Sequence, residues 1–502
     1  MKLDINGKTV VAESGDTIYQ AAKKAGMIIP SLCASDQLTP FGSCRLCLCE
    51  VSGQSGTPAS CTTPVRDGMV VRTDTDQVNR LRRNVMELYL SEQPQGSTRP
   101  ESLQQLAEKL SVHEVRYSQP SMRVQYRDES NPFFIFDNAY CISCARCVRA
   151  CDEIQGTHAL TMFARGFAAL PVAGAGPLNG ANHGFADSNC VSCGACVKEC
   201  PTGALTERTI LEHGYPTTTV RTACAYCGVG CAFNAGIREG RVVNMLPADD
   251  GPANHGHACM KGRFGWSYIY SNDRLKTPLL RKGDGWEAIS WDAALDRMAQ
   301  EFMRLRDEHG PDAVAAISSS RGTNEENYLF GKFIRCVMGT NHIDNCARVC
   351  HSATVTGMME TLGASAATNS IQDLDQAKLI LVVGANPTES HPVIGAKIKH
   401  AQRRGVPLIV IDPRRTELAR LADAQVVDNK ARLRMAVDQR HGRIEVARAL
   451  EIDREAMLRG LFRDDIDARS VRVEPEVRTE HEPDGHRPGR PFPFGDGLTH
   501  RR

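Results

Sequence analysis

The first residues alternate in polarity over two short runs, 2–5 and 9–12, joined at Asn6-Gly7. A period of two predicts half-buried strands, and Asn-Gly is the strongest short hairpin signal. A helix-spaced stripe of Ile18, Ala21, Ala22 and Ala25 follows, with Asp16 placed to cap it and Gly26 where helices commonly end. A second helical run covers residues 78–90 and sets Leu81, Val85, Leu88 and Tyr89 toward one side. A third covers 292–308, with Leu295, Met298, Phe302 and Leu305 as a core stripe and Gly310-Pro311 as its stop. Beyond it, the apolar runs 313–318, 378–383 and 406–411 predict three buried strands of an open parallel sheet. From residue 429 the pattern gives way to a stretch dense in Arg, Asp and Glu, which predicts a disordered end with room for one short amphipathic helix at 444–462.

Composition narrows the classes. With 502 residues, 24% of them charged and 41% hydrophobic, the chain reads as several soluble globular domains. A net charge of +1 gives no footprint for nucleic acid. No apolar run approaches the roughly 18 residues that a membrane-spanning helix needs. The start, Met1-Lys2-Leu3-Asp4-Ile5-Asn6-Gly7, has neither a basic region with an apolar core nor twin arginines, so a cytoplasmic protein is expected.

The twenty cysteines change the picture most. Secreted disulfide scaffolds are small, and these spacings are those of metal sites. Cys33, Cys44, Cys47 and Cys61 include a C-x2-C loop, and four thiolates can hold a [2Fe-2S] centre; zinc is the alternative, and Cys49 is left over. Cys141, Cys144, Cys147 and Cys151 follow C-x2-C-x2-C-x3-C, and Cys190, Cys193, Cys196 and Cys200 repeat it ahead of Pro201. This is the two-cluster bacterial ferredoxin pattern, in which the fourth cysteine of each run serves the other cluster. One [4Fe-4S] centre is therefore expected at Cys141, Cys144, Cys147 and Cys200, the other at Cys190, Cys193, Cys196 and Cys151. The Gly-rich insert at 173–176 reads as a surface loop, because no strand-turn-helix frame surrounds it. Cys224, Cys227 and Cys231 then precede a distant Cys259, with Lys261 two residues on.

Ligands in open parallel sheets bind at the carboxyl ends of strands. The loops beginning Ser319-Ser320-Arg321-Gly322-Thr323, Gly384-Ala385-Asn386-Pro387 and Asp412-Pro413-Arg414 are thus expected to face one cofactor. Gly384 allows close backbone approach, Asp412 can accept from ribose hydroxyls, and Arg414 can pair with a phosphate. Between these loops, Cys350-His351 joins a soft thiolate ligand to an imidazole that exchanges a proton near neutral pH. Such a dipeptide alone is more often a packing accident, since free cysteine is usually buried.

Taken together, these motifs carry a resemblance. The first domain is similar to the ferredoxin-like domain, a β-grasp, that opens the large iron-sulfur subunit of respiratory complex I and soluble NAD-linked formate dehydrogenases. The Cys224 set with Lys261 resembles the cluster domain of molybdopterin oxidoreductases. Ser319 to Thr323, Asn345-Cys346-Ala347-Arg348-Val349-Cys350-His351-Ser352 and Gly384 to Pro392 resemble the catalytic subunit of molybdenum or tungsten formate dehydrogenase.

The resemblance implies a multidomain α+β and α/β chain. Its parts are a [2Fe-2S] domain at 1–75, a degenerate His-Cys cluster region at 76–120, a two-[4Fe-4S] ferredoxin domain at 121–210, a [4Fe-4S] domain at 217–275, a partial molybdopterin-binding α/β domain at 276–428 and an atypical end at 429–502. It also implies Cys350 as metal ligand and His351 as active-site histidine. Lys261 would lie between cluster and pterin. Arg321, Gly322, Gly384, Asn386, Asp412 and Arg414 would cradle bis-(molybdopterin guanine dinucleotide) carrying molybdenum or tungsten. Formate would be the substrate. With no glycine fingerprint for a nicotinamide, flavin- and NAD-binding diaphorase-type subunits would be the partners.

In those families a His and three cysteines hold a further cluster after the first domain. Here Gln93 stands near the His position and no cysteine occurs between Cys61 and Cys141, so that cluster is expected to be absent. The family would continue well beyond residue 428 where this chain departs from its pattern, which reads as truncation, frameshift or fusion. The alternative function is a pterin-free electron-relay subunit like the large complex I subunit.

Overall fold

The computed structural model describes residues 1–94, 101–117, 126–174 and 184–426. Half of the expected Gly-rich loop, residues 175 and 176, and all of the charged end at 429–502 lie outside them. The chain divides into two units after Gln425, and the elements that follow belong to the first, Met1–Gln425.

The opening hairpin forms as its polarity requires. Lys2–Ile5 and Lys8–Val11 pair antiparallel, and Asn6 and Gly7 turn between them at φ +55° and +82°, the two positive angles of a type I′ turn. Val70–Arg72 pairs parallel to the first strand and antiparallel to Glu50–Val51, which gives the mixed four-stranded sheet of a β-grasp. The helix Ile18–Lys24 packs Ile18, Ala21 and Ala22 on that sheet. Its cap is Thr17, not Asp16: the Thr17 hydroxyl accepts from the Gln20 N–H while the Gln20 side chain returns to Thr17 N, a closed capping box. Asp16 accepts from Glu13 N and pairs with Lys24 at 3.0 Å, so its carboxylate is already engaged.

The next helix, Asp76–Ser91, differs from its hydrophobic reading. It buries Val78, Arg82, Met86 and Leu90 at four-residue spacing, with Glu87 and Ser91 beside them, and leaves Leu88 exposed. Arg82 faces inward because its guanidinium donates to the carbonyls of Thr73 and Leu48, which ties the helix to the first domain. Met86 and Leu90 pack with Leu103 of the helix Glu101–Lys109, with Cys33 and Cys44 on one side and Ile142 and Cys144 on the other. Gln93 is buried and donates to the Tyr140 carbonyl. Two helices thus occupy the stretch expected to be a degenerate His-Cys cluster region.

The ferredoxin-like part builds on Phe134–Asp137, held between Arg127–Asp128 and Leu205–Glu207, with Phe134, Phe136 and Phe185 in its core. Thr218–Ala223, Ala232–Arg238 and Arg241–Pro247 form an antiparallel sheet around the next cysteine set.

The α/β part holds the largest departure. Ala316–Ser318 pairs parallel with Ile343–Asn345, while Ile380–Val383 pairs parallel with Leu408–Ile411 in a separate sheet. The three expected strands therefore do not share one sheet. The helix Trp291–His309 starts at a Ser290 cap and ends at Gly310, but only Phe302 and Leu305 of its stripe reach a core. Leu295 and Met298 are 55% and 53% exposed, since the helix packs through its carboxyl-terminal half alone.

Candidate functional site

Four groups of sulfur atoms converge. In the first domain Cys33, Cys44, Cys47 and Cys61 are all buried. Cys33 accepts hydrogen bonds from the thiols of Cys44 and Cys61, which holds its own thiol well below the usual range. Cys61 also meets Cys47. Cys49, in contrast, turns away to the Pro58 carbonyl at 3.6 Å, and burial pushes it up to about 12.

In the ferredoxin part, Cys141, Cys144, Cys147 and Cys200 line one small cavity and Cys151, Cys190, Cys193 and Cys196 line another. These are the two sets expected from the crossed pattern, reached because both motifs adopt the same backbone. Ser143 and Ala145 take φ +54° and +57° in the first motif, Ser192 and Gly194 +52° and +73° in the second. Each left-handed turn swings an N–H toward sulfur: Ser143 N lies 3.3 Å from Cys141 Sγ and Ser192 N 3.4 Å from Cys190 Sγ. Ala159 N and Leu205 N serve Cys151 at 3.1 Å and Cys200 at 3.4 Å. Such donors favour thiolate. Burial opposes it and pushes Cys144 and Cys193 up to about 12, with neighbouring sulfurs adding to the rise. A cationic centre among the sulfurs is what would reconcile crowding, burial and N–H donors, so these residues fit iron-sulfur clusters.

The fourth set, Cys224, Cys227, Cys231 and Cys259, lines a third cavity, and Cys231 is likewise pushed up to about 12 by burial. Cys259 caps the short helix Met260–Phe264. Gly262 lets that helix close on the site: a Cβ there would meet Phe233 at 2.8 Å and Cys224 Sγ at 3.2 Å.

The α/β loops gather at one end of their strands. Arg321 follows Ser318 and donates to the carbonyls of Ala225 and Tyr226, inside the Cys224-x2-Cys227 loop, at 3.2 and 2.6 Å. Lys261 donates to the Glu389 carbonyl at 3.1 Å, in the loop after Val383. Two loops from two different sheets thus meet one cysteine site. Gly322 is held by Asn327, which also binds the carbonyls of Ser319 and Thr323. Gly384 sits at φ +58° and donates to Ile411 O, which sets it beside Asp412. Asp412 is buried and accepts from Arg414 N at 2.8 Å, so one oxygen already closes its own turn, and the largely exposed Arg414 side chain pairs with the same oxygen at 3.5 Å. Asn386 accepts from the Thr388 hydroxyl at 2.8 Å. Cys350 and His351 end a one-turn helix after Asn345, and both are exposed. They stand, like the other loop residues, beyond the carboxyl end of a parallel strand.

Hydrophobic periodicity missed Ile343–Asn345, whose Ile-Asp-Asn sequence is too short and polar to stand out. It also missed Cys346, whose sulfur accepts from Ser320 N and bonds the Ser320 hydroxyl, both at 3.3 Å. Those bonds lower its thiol below the usual range.

Comparison with known proteins agrees with this order. Residues 1–76 match the family model described as 2Fe-2S iron-sulfur cluster binding domain, 140–204 the 4Fe-4S dicluster domain, and 217–271 the molybdopterin oxidoreductase Fe4S4 domain. Residues 274–445 match molybdopterin oxidoreductase. The chain therefore carries, in this order, domains similar to the iron-sulfur domains and to part of the molybdopterin domain of molybdopterin oxidoreductases. Among its relatives, "Probable oxidoreductase YjgC" of Bacillus subtilis is 32% identical over 84% of this chain and 47% of that protein. "Putative formate dehydrogenase SH0748" of Staphylococcus haemolyticus is 30% identical over 84% of this chain and 46% of its own length. The chain thus spans about half the length of the curated relatives it matches. Among solved structures, an NAD+-reducing [NiFe]-hydrogenase in the H2-reduced state aligns with TM-score 0.37 and 28% identity over 41% of this chain and 87% of that one. Acetylene hydratase from Pelobacter acetylenicus aligns with TM-score 0.35 and 23% identity over 41% and 29%. Among the described residues no helix is long and apolar enough to cross a membrane.

Proposed function

We propose that this chain serves the oxidation of formate to carbon dioxide at a bis-(molybdopterin guanine dinucleotide) molybdenum or tungsten centre, and that electrons leave through its iron-sulfur sites to a flavin- and NAD-binding partner. The observation that carries the reading is the unbroken packing of sulfur sites. Lys261 and Arg321 tie the α/β loops to the Cys224 set, the helix after Cys259 abuts the Cys193 loop, and Cys144 shares a core with Cys33 and Cys44. The stretch 76–110 is bridged by side-chain packing, with Met86, Leu90 and Leu103 between Cys44 and Cys144. Relatives that carry the name formate dehydrogenase supply the substrate class.

When bound, the pterin-held metal would supply a two-electron acceptor, and the clusters would supply one-electron carriers. The chain's own residues do the rest. Cys350 offers the metal a soft thiolate, and His351 beside it orients formate and manages the proton. Lys261 keeps a positive charge between the Cys224 set and the loop at Glu389, where it can also donate to the pterin.

A second reading, an electron relay without pterin, draws support from two observations: Cys350 and His351 are exposed, and Arg321 is committed to protein carbonyls. Molybdenum, tungsten, iron and pterin per chain, measured after anaerobic purification, separate the two. About fourteen iron atoms, from one [2Fe-2S] and three [4Fe-4S] centres, with one molybdenum or tungsten and two pterins, is the expected result. Iron without pterin or either metal would overturn formate oxidation here and leave the relay. About eighteen iron atoms would reveal a fifth centre.

A further inference from the structure

The helix after Cys259 drives a charge into the ferredoxin-like part. Arg263 is fully buried and pairs with Glu207 at 2.6 Å, their side chains 1% and 4% exposed. Its Nη1 also donates to the Met245 carbonyl. Phe264, next along, stacks on Phe133 with centroids 4.8 Å apart and rings 5° from parallel, which fixes the helix end in place.

The partner surface for this insertion is the Cys193 loop. A Cβ on Gly194 would lie 2.8 Å from Arg263 Nε and 2.9 Å from both Arg263 Cγ and Phe264 Cζ. The internal repeat shows what the glycine is for. The matching residue in the first motif is Ala145, at φ +57°, so the left-handed turn itself admits a side chain. What demands glycine at 194 is the close approach of Arg263.

Burying a charge is costly unless it is matched. Glu207 matches Arg263 only in part: Glu207 Oε2 and Arg263 Nε find no hydrogen-bond partner among the described residues. The unsatisfied Nε is the atom nearest the Gly194 Cβ position, and Gly194 lines the cavity of the four sulfurs. A cluster that accepts an electron becomes more negative, and a fixed cation in a low-dielectric setting favours that state. Arg263 is also the arginine whose charge partly offsets the rise of the Cys193 thiol.

We propose that Arg263 is a tuning residue that raises the reduction potential of the [4Fe-4S] centre at Cys190, Cys193, Cys196 and Cys151, with Glu207 as its counterweight. The twin site has an arginine of its own, Arg146, which lines that cavity and pairs with Glu199 at 2.5 Å, so the tuning concerns the potential of the Cys190 site and not a bias against its twin. The inference rests on the cluster assignment proposed above.

The test is a redox titration followed by electron paramagnetic resonance on the full chain, prepared anaerobically. The signal lost in Cys193→Ser identifies the site. Arg263→Gln should lower its midpoint by a tenfold change in the one-electron equilibrium, about 59 mV. Glu207→Gln should raise it, and Arg263→Lys should stay near the unsubstituted value. Should Arg263→Gln fail to retain iron, Glu207→Gln decides alone, since it removes charge while keeping shape. Opposite shifts support tuning, because a structural role would not move the two variants in opposite directions. Unmoved midpoints in iron-replete variants overturn it while leaving the cluster assignment intact. An unsubstituted chain with no [4Fe-4S] signal that depends on Cys193 overturns both.

Discussion

The iron-sulfur part, residues 1–271, and the α/β part that follows treat their reactive cysteines in opposite ways. In the first, most cluster cysteines are buried and several receive backbone N–H donors; in the second, Cys350 and Cys336 are exposed, and half-buried Cys346 receives one such donor, from Ser320. The surroundings follow suit. Phe134, Phe233 and Leu170 are sealed in the first part, whereas Ile317, Leu381 and Leu295 of the second face solvent. A cluster loop gathers three ligands within about ten residues, so local backbone conformation delivers them. A pterin site draws on the ends of several strands and exists only as far as those strands are brought together.

Removing iron should break this contrast most sharply. Structural metal sites contribute on the order of 10 kcal/mol, comparable to the whole stability of a domain. Cys141, Cys151 and Cys196 belong to the core around Phe134, so their empty sulfurs would be left crowded inside it. Chelation under mild oxidant should abolish hydrogen-exchange protection over 134–137 and 205–207 while leaving 392–403 and 408–411 protected. Retained protection at 134–137 would show that packing, not iron, holds this part.

Cys350→Ser probes the other side. The residue is exposed, so stability should change by less than about 0.5 kcal/mol. Molybdenum or tungsten retention and formate oxidation with an artificial acceptor should nevertheless fall to background, with all four clusters still reducible by dithionite. Surviving turnover would mean that Cys350 is not the metal ligand.

The two halves were also unequally legible from the amino acids. Sixteen cysteines declare themselves by spacing, and Asn6-Gly7 and Gly26 declare a turn and a helix end, because each signal is confined to a few residues. Arg82 defeated periodicity, since a guanidinium can be as buried as a leucine when Thr73 and Leu48 offer carbonyls. The separation of Ala316–Ser318 from Ile380–Val383 could not be read locally, because the pairing partner Ile343–Asn345 lies more than twenty residues away. Arg263 escaped for the same reason: its meaning comes from Gly194 and Glu207, far back in the chain.

The ferredoxin repeat allows a finer comparison by exchanging one residue between its motifs. Gly194→Ala adds a Cβ at φ +73° against Arg263 and Phe264, so strain of about 1–2 kcal/mol joins overpacking of about 1–3 kcal/mol. Ala145→Gly relieves φ +57° and should be neutral or stabilising by up to about 1 kcal/mol. Denaturant midpoints of iron-replete protein should order Ala145→Gly, unsubstituted and Gly194→Ala from most to least stable. Equal midpoints for the two variants would mean that the helix after Cys259 does not press on the second motif.

The smallest expected effect asks how finely a local signal can be placed. Both Asp16 and Thr17 are sound capping types, and they differ by one position, about 100° around the helix axis. Only Thr17 carries its hydroxyl to Gln20 N, at 3.3 Å, and receives the Gln20 side chain in return at 2.9 Å. Thr17→Ala removes an acceptor that the first turn cannot replace from its own backbone, at a cost of about 1 kcal/mol. Asp16→Asn keeps an acceptor for Glu13 N and loses only the pairing with the half-exposed Lys24, an interaction of small value in solvent. Thermal denaturation followed at the [2Fe-2S] visible bands should therefore shift several degrees lower for Thr17→Ala and barely for Asp16→Asn. The reverse order would return the cap to Asp16.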